Sequence, residues 1–367
     1  MIGRVLGVYL AKEFLRNVIF IFVLFFSLII VVDLIELSRD LGKTANASLK
    51  QIFFIAIFRA PAFAENVLPF SILFGASMCL LSLNRRLELV IARASGVSVW
   101  QFLWPLVLTA AIIGSLASFA YNPLSLAGTV ASRAFEASAF GRVKGGFSNK
   151  TKNFWLRLNA PSGDLVLRAR VSQNKGVKLT AVSAYRFSTE GDFNERIDAA
   201  EAQYVTQGGK NYYILTDTIV TTAGQRGQKK PKVKLEVLVS KSQLQLGQTT
   251  AEDVSIWSLG SQTAMAEQSG KNALPFKTRF YALLAQPLLF IAMVLLAGTV
   301  SLTFARFGLN TKVFMGGVLA GFVLYVLTKL VVTFGSNGLV PPLIAAWSPA
   351  IVASLICTTI LLHQEDS

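Results

Sequence analysis

The polar residues of this chain exclude most catalytic chemistry before they suggest any. His363 is the single histidine, so neither a Ser-His-Asp arrangement nor a multi-histidine metal cage can form. Cys79 and Cys357 both lie inside apolar runs, which leaves the polar middle of the chain without a disulfide framework or a thiolate metal site. No nucleophile, base and orienter stand in a recognisable constellation, so no catalytic residue, no metal site and no cofactor of the chain's own are expected. Gly42-Lys43-Thr44 has the ending of a phosphate-binding loop. The position five before Gly42 is Leu37, however, and the motif G-x-x-x-x-G-K-[ST] is absent. A chain without that loop cannot hydrolyse ATP by the P-loop route.

The chemistry that does stand out is charge at the ends of apolar runs. Asn84 to Trp100, NRRLELVIARASGVSVW, is a short charged segment between two long apolar stretches. As a helix over about 84–96 it places Leu87, Val90, Ile91 and Ala94 on one stripe, with Arg85, Glu88 and Arg93 projecting elsewhere. Gly96 is a natural stop, and Arg85 and Glu88, three apart, can pair on the helix surface. Such a stripe suits a membrane interface or a partner's groove, and a solvated connector is the plainer alternative. Arg39 and Lys43 follow the first apolar run, Arg133 follows the third, and Lys329 falls inside the fifth. A cation within a bilayer must snorkel or face a wet cavity.

The elements that position these residues follow from composition. Of 367 residues 53% are hydrophobic and only 15% charged, too apolar for an ordinary water-soluble chain. The formal net charge of +15 suits anionic lipid or another polyanion, with lipid the first expectation for a membrane chain. Six runs are long enough to cross about 30 Å of hydrocarbon. They fall at about 17–37, 62–83 and 97–120 within a first membrane half, 1–120, and at about 280–305, 313–334 and 343–362 within a second, 276–367. Arg4, Lys12 and Arg16 precede the first run, which is read as a retained span rather than a cleaved signal because acidic and basic residues, not a small-residue cleavage site, follow it. Pro61 and Pro69 are expected to break or kink the second.

Between the halves, 121–275 reads as one β domain. The segments 154–159, 164–171, 177–187, 212–222 and 232–239 are strands by alternation and β-branching, separated by turns rich in glycine, proline and asparagine. A sandwich or jelly roll is expected, with Val182 and Ile214 as inward positions. Six crossings put both termini on one side, and basic residues at the amino terminus, at Arg85, Arg86 and Arg93, and at Arg306 and Lys312 favour the cytoplasm for that side. The β domain then lies across the membrane from them.

Three spans, a β insert and three more spans carry a further set of motifs. Arg59-Ala60-Pro61, Leu68-Pro69-Phe70-Ser71, Leu87-Glu88-Leu89 and Arg93-Ala94-Ser95-Gly96-Val97-Ser98 occur in order, followed by Gly316 to Tyr325, Gly338-Leu339-Val340-Pro341-Pro342 and Ala345-Ala346-Trp347. In these motifs the chain resembles, over essentially its whole length, the LptF/LptG permease family of the lipopolysaccharide export ABC transporter, and the late stretches look more like LptG than LptF. The resemblance implies a helical polytopic protein of the bacterial inner membrane with a periplasmic jelly roll and cytoplasmic termini. It implies a heterodimer with an LptF-like paralogue, an LptB-like ATPase dimer that holds ATP and Mg, an LptC-like bitopic partner, and lipopolysaccharide as substrate. The segment between spans two and three matches the helix that contacts the ATPase. Glu88 matches the acidic residue at that contact, with Arg85, Arg86 and Arg93 beside it. Arg39, Lys43, Arg133 and Lys329 become candidates for the lipid's phosphates. Asp33, Glu36 and Asp40 dilute the positive charge around the first two. Two other classes fit the residues: a membrane-anchored lipid-binding scaffold, and an ATP-independent lipid flippase, for which Glu65 is the one membrane carboxylate able to couple ions.

Overall fold

The structure is a computed structural model that describes residues 4–41, 49–140, 151–160, 163–173, 176–188, 192–207, 210–222, 227–238, 250–268, 272–307 and 311–366. The helices are α1 (Arg4–Leu41), α2 (Leu49–Glu65), α3 (Leu68–Arg85), α4 (Glu88–Ala94), α5 (Val99–Leu116) and α6 (Asn122–Phe140), and later α7 (Ile256–Gln268), α8 (Leu274–Phe307), α9 (Thr311–Ser336) and α10 (Pro342–Asp366). The strands are β1 (Thr151–Ala160), β2 (Gly163–Gln173), β3 (Lys178–Phe187), β4 (Phe193–Gln207), β5 (Lys210–Thr222) and β6 (Gln228–Val237). Two compact units result: residues 1–135, 251–263 and 273–367 form the first, and 136–250 with 264–272 the second.

Among the described residues six helices of the first unit are long and apolar enough to cross a membrane. Their core joins Phe14 and Val18 of α1, Ile72, Leu73 and Leu80 of α3, Leu103 and Leu106 of α5, and Phe290, Met293 and Val294 of α8. Large apolar side chains also face outward, among them Ile19, Phe20, Val23 and Leu24 of α1 and Leu319, Phe322, Val323 and Leu327 of α9. Outward apolar faces of this extent belong in lipid rather than in water. The second span breaks differently from the expectation: the chain turns at Asn66 and Val67 between α2 and α3, and Pro69 sits in the first turn of α3, where its missing N–H costs nothing.

Proline also explains how α5, α6 and α8 are stitched together. Pro287 has no N–H for the carbonyl of Leu283, four residues earlier. Ser118, in a π-helical turn over Ala117–Tyr121, donates its hydroxyl to that carbonyl at 2.6 Å. Pro123 likewise leaves the Phe119 carbonyl free, and the indole N–H of Trp257 donates to it at 3.1 Å. The backbones of α5 and α8 meet closely enough at Gly114 that a Cβ there would lie 2.5 Å from Cα of Pro287. The helix begun at Val99 continues through the π turn to Phe140, so the strands begin at Thr151 and not soon after Pro123.

In the second unit the strands form one antiparallel sheet in the order β1-β2-β3-β4-β5-β6. The expected all-β insert with an apolar interior is present, but its connectivity is a meander rather than the Greek keys of a jelly roll. The cause is loop length, since two to five residues separate consecutive strands and permit only hairpins. Pairing lapses at one row that crosses every strand: Asn153, Arg170, Ala181, Ala200, Asp217 and Pro231. Ala181 (φ 51) and Asp217 (φ 53) there adopt left-handed backbone. Buried positions step by three across the row, from Ala169 to Ser172, Leu179 to Val182, Ala199 to Ala202 and Leu215 to Thr218. Each of β2, β3, β4 and β5 thus carries one extra residue, as in a bulge, and keeps the same side inward on both sides of the crease. β1 and β6 also approach one another, so the creased sheet wraps an interior.

That interior is filled by its own side chains, including Leu165, Leu167, Val182, Ile197, Tyr213 and Leu215. Val182 is inward as expected. Ile214 is not, because it alternates with the buried Tyr213 and Leu215.

Candidate functional site

Two polar clusters of the helical unit and a scattered set of cations contain the residues singled out by chemistry. The first cluster lies at α4. The expectation of one helix over 84–96 is corrected by Leu87, whose φ of 61 breaks the chain between α3 and α4. A left-handed leucine costs about 1 kcal/mol or more, and it frees Glu88 to start a new helix, where a carboxylate meets the positive end of the helix dipole. Gly96, at φ 85, ends that helix as expected. Ser98 and Gln101 then form a reciprocal capping box at 3.3 Å that starts α5.

Glu88 accepts a hydrogen bond from the Tyr9 hydroxyl at 3.1 Å. Arg86, at 3.9 Å, is its ion-pair partner in place of the expected Arg85, whose side chain is exposed. The turn at Leu87 is the reason, because Arg85 and Glu88 no longer share a helix. Ile91 projects outward on α4, 66% exposed. The side chain of Arg93 lies outside the described residues. One turn further along α1, Glu13 pairs with Arg16.

The second cluster surrounds Glu65, the last residue of α2. Arg279 of α8 donates to Glu65 at 2.8 Å, and Asn122 and Ser125 of α6 donate at 3.3 Å each. Asn122 turns its own side-chain oxygen to the backbone N–H of Ile256 at 3.2 Å. Four helices are therefore tied by one carboxylate and one amide. Sequence reasoning noticed Glu65 but missed Arg279 as its partner, because 214 residues separate them. Asp33 is also paired, with Arg59 at 3.5 Å, and the same guanidinium lies 5.1 Å from the Phe63 ring.

The four substrate candidates have different surroundings. Arg39 is exposed in the last turn of α1, where the helix dipole favours a cation. Lys43 lies outside the described residues. Arg133 forms an ion pair with Asp253 at 2.7 Å. Lys329 donates to the Asn66 side chain at 3.0 Å and sits 5.5 Å from the ring of Tyr325, which in turn packs on Phe70 at 4.8 Å. No described contact joins Arg39, Arg133 and Lys329 into a single pocket.

No curated protein matches the chain at a significant level. The sequence model described as lipopolysaccharide export system permease LptF/LptG matches residues 8–363, which takes in all six spanning helices and the β unit. A match of that extent identifies the chain as a multi-pass membrane permease subunit, and it belongs to the LptF/LptG family of lipopolysaccharide export permeases.

Proposed function

We propose that this chain is the membrane subunit of an ABC exporter that extracts lipopolysaccharide from the inner membrane and passes it to a periplasmic bridge towards the outer membrane. Its motor is a separate ATPase dimer of the LptB type. The observation that carries the reading is the bond between Tyr9 and Glu88, which ties the short helix α4 directly to the spanning helix α1. A push on α4 by a nucleotide-driven partner is thereby transmitted into a span. The outward Ile91 gives α4 an apolar contact for the partner's groove, and Arg86 holds the carboxylate in place.

In this reading α4 and both termini face the cytoplasm and the β unit faces the periplasm. An LptF-like paralogue, with an LptC-like bitopic protein, covers the apolar faces of α1 and α9 to complete a lipid-sized cavity. Arg39 stands at its outer mouth, and Lys43, outside the described residues, is a further candidate for the lipid's phosphates. Arg133 and Lys329 act there once a phosphate competes with Asp253 and Asn66. The filled interior of the β unit favours lipid transfer along the assembly rather than through this unit. An ion-coupled flippase is disfavoured by Glu65, whose charge is already matched by Arg279 and so is not free to carry an ion.

Purification of the chain from its native membrane in mild detergent tests the assignment. Recovery of a P-loop ATPase together with a paralogue of the same family and lipopolysaccharide is expected. A chain that purifies with lipid but no ATPase would support the anchored scaffold instead.

A further inference from the structure

The outer face of the β unit carries a cavity where β2, β3 and β4 cross the crease. It measures about 320 Å³ and is lined by Arg168, Arg170, Ala181, Ser183 and Asp198, with Val182 and Ala199 as its floor. That volume is at the small end of ligand pockets. Register places Trp155, Arg168, Ser183 and Asp198 side by side in one cross-strand row, and Arg170 on the neighbouring crease row. The left-handed Ala181 contributes only a methyl there, which opens the space.

The charges in this cavity are unequally matched. Asp198 accepts from the Ser183 hydroxyl at 2.6 Å and from Nε and Nη2 of Arg196 at 3.1 and 2.9 Å, all at the same oxygen, Oδ1. The hydrogen bond and charge of Asp198 hold the Arg196 guanidinium above its usual range. Arg168 and Arg170 have no carboxylate partner among the described residues. Arg168 instead lies 5.2 Å over the ring of Trp155, which is 57% exposed. The site thus presents two guanidiniums without a carboxylate partner among the described residues, able to bind an anion with paired N–H groups. Beside them are the exposed Trp155 ring and the Asp198 carboxylate, whose hydrogen bonds among the described residues all fall on Oδ1.

We propose that this cavity binds a phosphorylated sugar. Arg168 and Arg170 hold the phosphate, Asp198 Oδ2 accepts from a ring hydroxyl, and Trp155 packs against the apolar side of the ring. The site lies wholly within the β unit and stands apart from the transport reading, since it requires neither an ATPase nor a spanning helix. Phosphorylated sugar can arrive as the headgroup of a glycolipid or as a soluble saccharide.

Calorimetric titration of the full chain in neutral detergent with glucose 1-phosphate tests the proposal. Saturable binding is expected, with glucose and inorganic phosphate each at least about tenfold weaker. Arg168→Ala/Arg170→Ala should weaken it at least about tenfold and Trp155→Phe less. The charge-matched control Lys229→Ala/Lys234→Ala, on edge strand β6, should leave it unchanged. Absent binding, equal binding of inorganic phosphate, or equal loss in the β6 control each overturns the site. Intact lipopolysaccharide that competes better than its phosphatase-treated form assigns the glycolipid as the source. Competition by soluble sugar phosphate alone assigns the free saccharide, and both results uphold the site.

Discussion

The phenol of Tyr9 and the carboxylate of Glu88 meet at 3.1 Å although 79 residues separate them in the chain. One belongs to the first spanning helix and the other opens the short helix α4. A single hydrogen bond therefore joins the segment proposed to meet a motor to a membrane-spanning helix.

Tyr9→Phe keeps the ring and removes only that bond. A hydrogen bond of this kind is worth about 1 kcal/mol, less where solvent competes, so ATP-driven lipid release should fall by about two- to fivefold with assembly unchanged. Release at the wild-type rate in a reconstituted system would separate Tyr9 from coupling.

The Glu65–Arg279 pair is 11% and 23% exposed at its two side chains and is the centre of a four-helix junction. Glu65→Ala strands the guanidinium and the Asn122 and Ser125 donors, and should cost about 3 kcal/mol. Glu65→Ala combined with Arg279→Met should cost less than the two single changes summed, because only the single variants leave a lone charge. Thermal unfolding in detergent measures both, and strict additivity would argue against a coupled pair.

Gly114 and Gly260 offer opposite outcomes for one substitution. A methyl on Gly114 meets the Pro287 backbone at 2.5 Å, whereas one on Gly260 meets nothing within 4 Å. Gly114→Ala should destabilise by about 1–3 kcal/mol as α5 and α8 are forced apart. Gly260→Ala in α7 should be neutral or add up to about 1 kcal/mol from helix propensity. Melting temperatures of the two variants side by side provide the check.

Tyr213 gives the β unit an alkaline limit. Its buried hydroxyl donates to the Gly176 carbonyl at 2.8 Å, and burial pushes the phenol above its ordinary value of 10.0. The folded state keeps a proton that the unfolded chain releases, so this contribution is intact below about pH 10 and is lost as pH rises beyond it. Tyr213→Phe should flatten that decline in a pH series of unfolding midpoints. Some slope should persist from Tyr204, which burial shifts in the same direction and whose ring packs edge-on at 5.5 Å.

How much of this was legible in sequence varied with the physical signal. Spans were readable because hydrocarbon demands long apolar runs, and the helix stop at Gly96 because few other residues accept positive φ. Strand β4, FNERIDAAEAQYVTQ, was missed since its alanines and carboxylates carry no β-branched signature. α2, α6 and α7 escaped because their helicity depends on tertiary partners such as Phe135 stacked on Phe58 at 5.7 Å. The crease had a sequence trace after all: apolar alternation slips by one in LTAV, AAEA and LTDT, at 179–182, 199–202 and 215–218. Reading strict alternation through YYILTDTIVTT put Ile214 on the wrong face. At α4 the exchange of Arg85 for Arg86 hung on a left-handed leucine, for which sequence offers no warning. The pairing of Glu65 with Arg279 needed the fold itself.

ATP-dependent release of lipopolysaccharide from vesicles containing the whole assembly tests the central claim, that Glu88 couples a separate motor to this permease. Glu88→Ala and Glu88→Lys should insert and assemble normally, leave ATP hydrolysis measurable, and reduce lipid release at least about tenfold, with Glu88→Lys the more severe because it also repels Arg86. Wild-type release by both variants in a fully assembled complex would contradict the account.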